Sequence, residues 1–203
     1  MKVSEARNVH QALAHGLDYL LRSGMQRDSR NGPVLLAPTP VTTVYRQPLE
    51  RVVFWKERDA NPFFHLYESL WMLAGRNDVE PLTRYAKNMA NYSDDGVVQW
   101  GAYGYRWRFW FPEWDGPMTA QIGNLDQLAI IARRLRENPD DRRCVLQMWD
   151  PELDLDRPWK DVPCNVPATF QRDVAGNLDL TVFCRSNDII WGAYGANAVH
   201  FSF

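Results

Sequence analysis

Several features that would place a chain at once in a broad class are missing from this sequence. Its 203 residues contain only three cysteines, at positions 144, 164 and 184, which is an odd number without a close pair. Such a count predicts reduced thiols in a cytosolic compartment and provides no disulfide framework. No apolar run approaches the roughly 20 residues that span a bilayer, and the polar N-terminus lacks the core of a signal peptide. We therefore expect a cytoplasmic protein that does not bind a membrane.

Strong charge and metal-binding patterns are also missing. The 23 basic and 25 acidic residues give a net charge of -2, which disfavours binding to polymeric nucleic acid but leaves room for a site that binds one phosphate. The spacing of the cysteines and of the four scattered histidines does not form a zinc pattern. Neither 101–104 nor 192–195 has the strand–glycine–helix order of a phosphate-binding loop. The sequence predicts no metal site.

What the chain does have is helix and strand periodicity along its whole length, without repeats or linkers. Helical patterns cover four segments, residues 5–23, 62–75, 79–92 and 125–138, whereas residues 93–117 have an irregular pattern. Strand patterns cover five segments, residues 33–45, 49–56, 142–150, 164–174 and 177–186, of which the last two form a hairpin pair. This order favours a single α+β domain over residues 1–203, with a mixed β-sheet covered by long helices.

Two residues are candidates for covalent and acid–base chemistry. Cys164 lies where a polar loop meets a strand, a place where a thiol can be exposed and where a nearby arginine favours the nucleophilic thiolate. Free cysteine is also one of the most frequently buried residue types, so a structural role remains open, and it is the better interpretation for Cys144 and Cys184 within apolar strands. Glu68 lies in an otherwise apolar helix, where a carboxylate is either turned outward or functional.

Arginines form a second group of candidates. The guanidinium fork suits phosphate because it makes two parallel charge-assisted hydrogen bonds, and a hydroxyl beside an arginine adds a donor. The residues concerned are Arg30, Arg142, Arg143, Arg185 and Ser186. For the paired Arg142 and Arg143, a solvated surface is the alternative interpretation.

Six motifs in chain order resemble the thymidylate synthase family, including its phage-type hydroxymethylase branch. They are Asp28–Gly32, Glu68–Trp71, Tyr103–Arg108, Arg142–Pro151, Val162–Cys164 and Gly176–Asp188. Each motif is short, but their order over nearly the whole chain identifies the family. The resemblance implies the fold of that family, whose domain continues beyond the position of Phe203, so the chain resembles a C-terminally truncated member.

The resemblance implies roles for the reactive residues. C5 of a pyrimidine is a poor nucleophile until a thiolate adds at C6, and the family uses the residue matching Cys164 for this addition. Glu68, with ordered water, matches the acid–base group, and Tyr103 matches an active-site tyrosine. The one-carbon donor of the family is 5,10-methylenetetrahydrofolate, and Asp188 matches the aspartate that holds its pterin ring.

The resemblance also implies how the nucleotide phosphate is bound. Arg30, Arg185 and Ser186 match phosphate ligands within the subunit. Arg142 and Arg143 match residues that reach across a homodimer to the phosphate site of the partner subunit. We therefore expect a homodimer that binds a nucleotide monophosphate and a folate.

Departures from the family pattern near the nucleophile bear on the product. Asn165, a substrate-binding candidate, replaces the histidine that follows the cysteine in thymidylate synthases, and Gln171 or Thr169 replaces a displaced glutamine. The Trp-x-x-Trp pair that walls the reacting carbon is absent from residues 87–93. Loss of this wall would admit water to the methylene group and give a hydroxymethyl product. Trp100 is the candidate for an alternative wall.

A further departure concerns the residue that reads the base. The family places an asparagine eleven positions after Arg185, but Ala196 occupies that position and Asn197 follows it. A one-residue insertion would restore the match. An asparagine amide offers both a donor and an acceptor, as uracil N3–H and O4 require, whereas the cytosine branch carries aspartate. Asn197 therefore favours uracil.

The leading hypothesis is the conversion of dUMP to 5-hydroxymethyl-dUMP. Thymidylate synthase, dCMP hydroxymethylase and a non-catalytic nucleotide-binding homologue are the alternatives. Hydroxymethylated pyrimidines suggest a virus with modified DNA, and such an enzyme would work in the cytoplasm of the host.

Overall fold

A computed structural model describes residues 1–29, 32–115 and 120–203. The chain divides into two compact units. The first unit consists of Met1–Leu66 and Asn187–Phe203, and the second of Tyr67–Ser186. No helix in the described ranges has the length and apolar character needed to cross a membrane.

Helices and strands both occur throughout the described residues, as the α+β class requires. The strands are β1 (Lys2–Ala6), β2 (Met25–Ser29), β3 (Gly32–Leu36), β4 (Val41–Tyr45), β5 (Pro112–Trp114), β6 (Gln121–Asn124), β7 (Val145–Gln147), β8 (Asn165–Arg172) and β9 (Leu178–Cys184). The α-helices are α1 (Val9–Ser23), α2 (Pro62–Leu73), α3 (Glu80–Thr83), α4 (Tyr103–Arg108), α5 (Gln127–Glu137), α6 (Pro151–Asp154) and α7 (Asn197–Ser202). A π-helical turn, Ile189–Ala196, leads into α7.

The core of the first unit forms on one face of α1. Asn8 caps this helix by accepting a hydrogen bond from the Gln11 N–H at 3.0 Å, and the buried face of α1 packs with Val53 and Tyr194. The helix predicted for residues 5–23 begins only at Val9, because Lys2–Ala6 pairs in parallel with β4 instead. A Cβ atom at Gly16 would collide with the ring of Tyr194, so this position needs a glycine.

The second unit is built on the antiparallel sheet β7–β8–β9. The predicted hairpin at residues 164–186 is confirmed, with Phe170 opposite Leu180 in β8 and β9. Helix α5 is fixed to β7 through Gln127, whose side chain donates to the Gln147 carbonyl at 2.9 Å and accepts from its N–H at 2.8 Å. These two hydrogen bonds therefore fix α5 to the sheet that contains β8.

Some predicted elements are wrong. Residues 49–56 contain no strand, and the helix predicted for residues 79–92 is reduced to α3 and a 3₁₀ turn, because the extended backbone of Ala86 interrupts it. Residues 93–117, expected to be irregular, contain α4 and β5. Among the described residues the strands form four small sheets, one of them parallel, rather than the single mixed sheet that was expected.

Candidate active site

Cys164 lies at the end of the loop that enters β8. Its side chain is half-buried, between the fully buried Pro163 and Asn165. The N–H groups of Cys164 and Asn165 both donate to the hydroxyl oxygen of Tyr103, at 3.1 and 3.3 Å. Tyr103 therefore fixes the backbone on both sides of the Cys164 α-carbon.

Tyr103 is the first residue of α4. Burial, together with the nearby Cys164 thiol, raises the pKa of Tyr103 well above its ordinary value of 10.0. The phenol therefore stays protonated at neutral pH and carries no charge into the site. It keeps one hydrogen to donate while its oxygen accepts from the two backbone N–H groups.

Arg185 follows β9 and binds the same loop. Its N–H donates to the Cys164 carbonyl at 2.9 Å, and its side chain donates from Nε to Pro163 O at 2.8 Å and from Nη2 to Val162 O at 3.3 Å. The guanidinium also lies 5.2 Å from the ring of Trp149. These bonds use two of the five N–H donors of the guanidinium. A positive charge is thus held beside the Cys164 loop.

The loop before Cys164 is joined to residues 100–103 by further contacts. Trp159 stacks on Trp100 with ring centroids 5.3 Å apart. Two residues later, the Asp161 carboxylate accepts from the Gly101 N–H at 3.0 Å. Together with the bonds to Tyr103, these contacts align the segment 159–165 with the segment 100–103. The sequence did not reveal Trp159 or Asp161 as candidate site residues, although Asp161 precedes Cys164 by only three positions.

A buried ion pair supports the segment 100–103 from below. The side chains of Arg106 and Asp154 are fully buried and make two hydrogen bonds of 2.6 and 2.9 Å. Arg106 also donates to the carbonyls of Trp100 and Met148, both at 2.9 Å. Its guanidinium lies 4.3 Å from the ring of Trp110. The sequence predicted a role only for the tyrosine of the Tyr103–Arg108 motif. Arg106, however, has the most deeply buried side chain of this motif.

The surroundings of Cys144 and Cys184 favour the protonated thiol. Cys144 is buried, and burial raises the pKa of its thiol. Burial also raises the pKa of Cys184 to about 11, and its Sγ donates to the Ser186 carbonyl at 3.0 Å. Both thiols therefore remain protonated at neutral pH, which agrees with the structural interpretation of these two residues.

Glu68 lies in the part of α2 that belongs to the second unit. Its side chain is half-buried, while the next residue, Ser69, is buried. Farther along the helix, Trp71 is buried and donates from its indole N–H to Asp78 O at 3.1 Å. The sequence left two interpretations of Glu68 open, an outward-facing carboxylate or a functional one. The half-buried side chain is not turned fully outward.

Arg142 and Arg143 lie in the turn before β7, whereas Cys164 lies in the loop before β8. Arg143 donates from its N–H and Nε to Asp141 at 2.9 and 3.2 Å, and Arg134 forms an ion pair with the same carboxylate at 2.8 Å. The hydrogen bond from the Arg143 side chain is the main reason that the pKa of Asp141 lies well below its ordinary value. Arg142 is exposed. Their reach to a partner subunit stays a prediction.

The first unit contains the two remaining predicted residues. Asp188 Oδ1 accepts from the N–H groups of Ile190 and Trp191, at 2.8 and 2.7 Å, and so caps the π-helical turn. Asn197 begins α7, and its Nδ2 donates to Asn187 Oδ1 at 3.2 Å. Arg30 lies outside the described residues.

The π-helical turn explains the displaced asparagine. Ala193 donates its N–H to the carbonyl of Asp188, and Asn197 donates to the carbonyl of Gly192, five residues back in each case. An α-helix bonds four residues back, so a π turn accommodates one extra residue. The turn is kinked at Tyr194, whose hydroxyl bonds Thr43 at 2.9 Å. Such a turn is compatible with the insertion expected from the sequence, which stays a prediction.

Comparison with known proteins gives a consistent result. Residues 16–201 match the family model described as Thymidylate synthase. A Deoxyuridylate hydroxymethyltransferase of Pseudomonas phage M6 is 59% identical over 203 residues, which are 100% of this chain and 54% of that protein. A Deoxyuridylate hydroxymethyltransferase of Bacillus phage SP01 is 42% identical over 164 residues, covering 80% of this chain and 42% of that protein. The chain thus spans about half the length of the curated relatives it matches.

Proposed function

Because the chain belongs to the thymidylate synthase family, we propose that it catalyses folate-dependent one-carbon transfer to C5 of dUMP, with 5-hydroxymethyl-dUMP as the product. The observation that carries this proposal is the fixed backbone of Cys164, whose N–H and that of Asn165 are both held by Tyr103. The two phage relatives, both named Deoxyuridylate hydroxymethyltransferase, support the choice of substrate and product. Residues 1–203 act as one domain in this proposal.

The first step is addition of the Cys164 thiolate to C6 of the uracil ring. The sulfur–carbon bond forms as the C5–C6 double bond opens, and the electron pair moves toward C5 and O4. C5 then takes over the one-carbon unit as the bond from that carbon to the folate nitrogen breaks. Loss of the C5 proton, addition of water to the exocyclic carbon and departure of the Cys164 thiolate from C6 complete the product. Arg185 supports this step, because its positive charge lies beside the loop that carries the thiolate. Glu68 is the acid–base group that exchanges protons with the ring through water.

The donor in this proposal is 5,10-methylenetetrahydrofolate, which supplies a one-carbon unit at the oxidation level of formaldehyde. The residues of the first unit suit its flat pterin ring. The Asp188 carboxylate is exposed and offers hydrogen-bond acceptors, and the neighbouring Trp191 ring is 70% exposed. A carboxylate beside an aromatic face matches a planar ring that carries N–H donors.

The hydroxymethyl product requires water rather than hydride to reach the exocyclic carbon. Residues 87–92 form a 3₁₀ turn that contains no tryptophan. Trp100, the alternative wall, is stacked on Trp159 and meets Trp110 edge to face. These contacts favour a structural use for Trp100 and thereby support entry of water.

In the proposed homodimer, Arg142 and Arg143 bind the phosphate in the site of the partner subunit, and Arg30, Arg185 and Ser186 bind it within the subunit.

Product analysis tests the proposal. The protein is incubated with dUMP and 5,10-methylenetetrahydrofolate, and the expected products are 5-hydroxymethyl-dUMP and tetrahydrofolate. Formation of dTMP and dihydrofolate would instead establish thymidylate synthase activity, and turnover of dCMP alone would refute the assignment of uracil.

A second assay isolates the nucleophile. Addition at C6 labilises the C5 hydrogen, so the wild-type protein should release tritium from [5-³H]dUMP. The Cys164→Ala variant should release none, whereas the matched Cys144→Ala variant, which removes a buried thiol directly before β7, should keep the activity. Release that survives loss of Cys164 would refute the proposed mechanism.

A further inference from the structure

We propose that Asp161 is a positioning residue, which holds the loop of Cys164 against the segment of Tyr103 through the Gly101 N–H and thereby speeds addition of the thiolate to C6. This inference deepens the proposed function and rests on it, because it assigns a use to a carboxylate that the proposed mechanism does not employ. Asp161 lies three positions before Cys164 and outside the six motifs that resemble the family.

The hydrogen bond between Asp161 and Gly101 is well defined at both ends. Gly101 is buried and offers a backbone donor, and Asp161 Oδ2 accepts from its N–H at 3.0 Å. A Cβ atom at Gly101 would lie within 3.0 Å of the Asp161 carboxyl group. A larger residue at position 101 would therefore displace the carboxylate, so the bond depends on glycine.

Two hydrogen bonds join the same two segments of the chain. Asp161 binds Gly101, and farther along both segments the Tyr103 oxygen accepts from the Cys164 N–H at 3.1 Å. Without the first bond, the Tyr103 hydroxyl and the stacked ring of Trp159 would have to hold the loop on this side. The position of the Cys164 sulfur would then vary more, and misplacement of a nucleophile slows its reaction.

Arg185 holds the same loop from the side of β9. Its hydrogen bonds go to the carbonyls of residues 162–164. These bonds do not involve Asp161, so loss of the Asp161 carboxylate should slow the reaction without abolishing it. The expected loss is about tenfold, the worth of one hydrogen bond.

The strength of the bond to Gly101 depends on the ionisation of Asp161. An ionised acceptor makes a shorter and stronger hydrogen bond than a neutral one. Burial raises the pKa of Asp161 to about 6, although the Gly101 N–H and the Arg106 guanidinium of α4 act against it. Two further carboxylates, Asp94 after the 3₁₀ turn and Asp154 of α6, raise this pKa as well. The bond should therefore strengthen as the pH rises through about 6.

The test follows tritium release from [5-³H]dUMP by wild type and Asp161→Asn from about pH 5 to about pH 8. The amide of the variant is neutral at every pH. In wild type, kcat should rise with a midpoint near pH 6, and Asp161→Asn should lack this rise. The two rates should converge near pH 5. At neutral pH the variant should have a kcat about tenfold lower than wild type, with KM for dUMP within about twofold of wild type.

Two further variants separate positioning from other effects. Gly101→Ala keeps the Asp161 charge and displaces the carboxylate, so its kcat should also fall about tenfold. The matched control is Asp173→Asn. Asp173 likewise accepts from backbone N–H groups, those of Ala175 and Asn177 at 2.9 and 2.8 Å, but it lies in the turn between β8 and β9. The control should keep the rate and the pH profile of wild type.

A measurement without substrate tests the same coupling. In an NMR titration of wild type, the Gly101 amide resonance should shift with a midpoint near pH 6. The Cys164 amide resonance should shift with the same midpoint, because the two segments are joined. Asp161→Asn should abolish both shifts.

The outcomes separate this inference from the proposed function. A wild-type profile without the rise near pH 6 would overturn the inference, as would wild-type kcat in Gly101→Ala or an equal loss in Asp173→Asn. A merely structural role would lower stability and leave the pH profile of kcat unchanged in Asp161→Asn, which also counts against the inference. If wild type releases no tritium at any pH, the proposed function fails. The NMR titration would then still decide whether Asp161 positions the backbone of Cys164.

Discussion

The buried pair Arg106–Asp154 offers a sharp test of how the candidate site is supported. The variant Asp154→Asn keeps the size of the side chain and removes its charge. In the wild-type protein this carboxylate accepts two hydrogen bonds from Arg106 and a third from the Asp150 N–H at 2.8 Å. The amide offers one oxygen and presents an N–H donor to the donors of Arg106. The guanidinium is then left buried without a compensating charge.

The expected loss is large because both side chains are fully buried. Removal of one partner of a buried pair costs about 3–5 kcal/mol in the free energy of unfolding. The whole stability of a domain is about 5–15 kcal/mol. For a chain of this length each kcal/mol lowers Tm by about 2–4 °C, so the expected decrease is roughly 6–20 °C.

Urea unfolding followed by tryptophan fluorescence measures the effect, since the Trp110 ring lies 4.3 Å from the Arg106 guanidinium. The matched control is Glu80→Gln. Glu80 forms an ion pair with Arg84 at 2.7 Å, close to the 2.6 Å of the buried pair. The side chains of Glu80 and Arg84 are both exposed. The control should lose far less stability than Asp154→Asn, because water and salt screen an exposed pair.

Two results would refute the reasoning about this pair. The first is a loss below about 1 kcal/mol for Asp154→Asn, which would mean that water or a local shift compensates the buried charge. The second is an equal loss in Glu80→Gln, which would mean that burial does not set the cost. The double variant Arg106→Met with Asp154→Leu should lose less than Asp154→Asn alone, because it leaves no unpaired charge.

Two further predictions concern the contacts around the nucleophile. Tyr103→Phe removes the acceptor of the Cys164 and Asn165 N–H groups and should cost about 1–3 kcal/mol in unfolding free energy. Tritium release should also fall strongly. A variant with wild-type stability and a wild-type rate of tritium release would contradict the role given to this hydroxyl. Burial raises the pKa of Asp161 from 3.8 to about 6. The folded state therefore holds this proton more tightly than the unfolded state, and wild type should lose stability relative to Asp161→Asn as the pH rises from about 4 to about 6. Urea unfolding at several pH values measures this difference, and a constant difference would contradict the assignment.

Local sequence patterns predicted the elements that depend on local interactions. Helices α1, α2 and α5 and the β8–β9 hairpin have clear periodicity, and polar residues cap two of these helices, at Asn8 and Asp126. The failures depend on tertiary structure. Residues 49–56 have a strand pattern but pair with no strand in the part of the chain that the structure describes. Helix α4 forms where Gly104 allows a close approach to the Met72 carbonyl.

The candidate site divides in the same way. The resemblance named Cys164, Tyr103 and Arg185, and these three residues do meet at one loop, while their chemical roles stay predictions. The supporting residues were not found, because their partners are distant in sequence. Asp161 is 60 positions from Gly101, and Arg106 is 48 positions from Asp154. Neither motif order nor periodicity carries information about such pairs.

The π-helical turn also bears on how family members should be compared. One extra residue in an α-helix would rotate everything after it by about 100°, which follows from 3.6 residues per turn. The segment Ile189–Ala196 differs from such an α-helix, because Ala193 and Asn197 bond five residues back and the backbone leaves helical angles at Tyr194 and Gly195. Under the proposed function, chains of this family can therefore differ in length by one residue between Asp188 and Asn197 and keep an asparagine for the base. A motif search with fixed spacing would miss such chains, whereas one that follows the hydrogen bonds would find them.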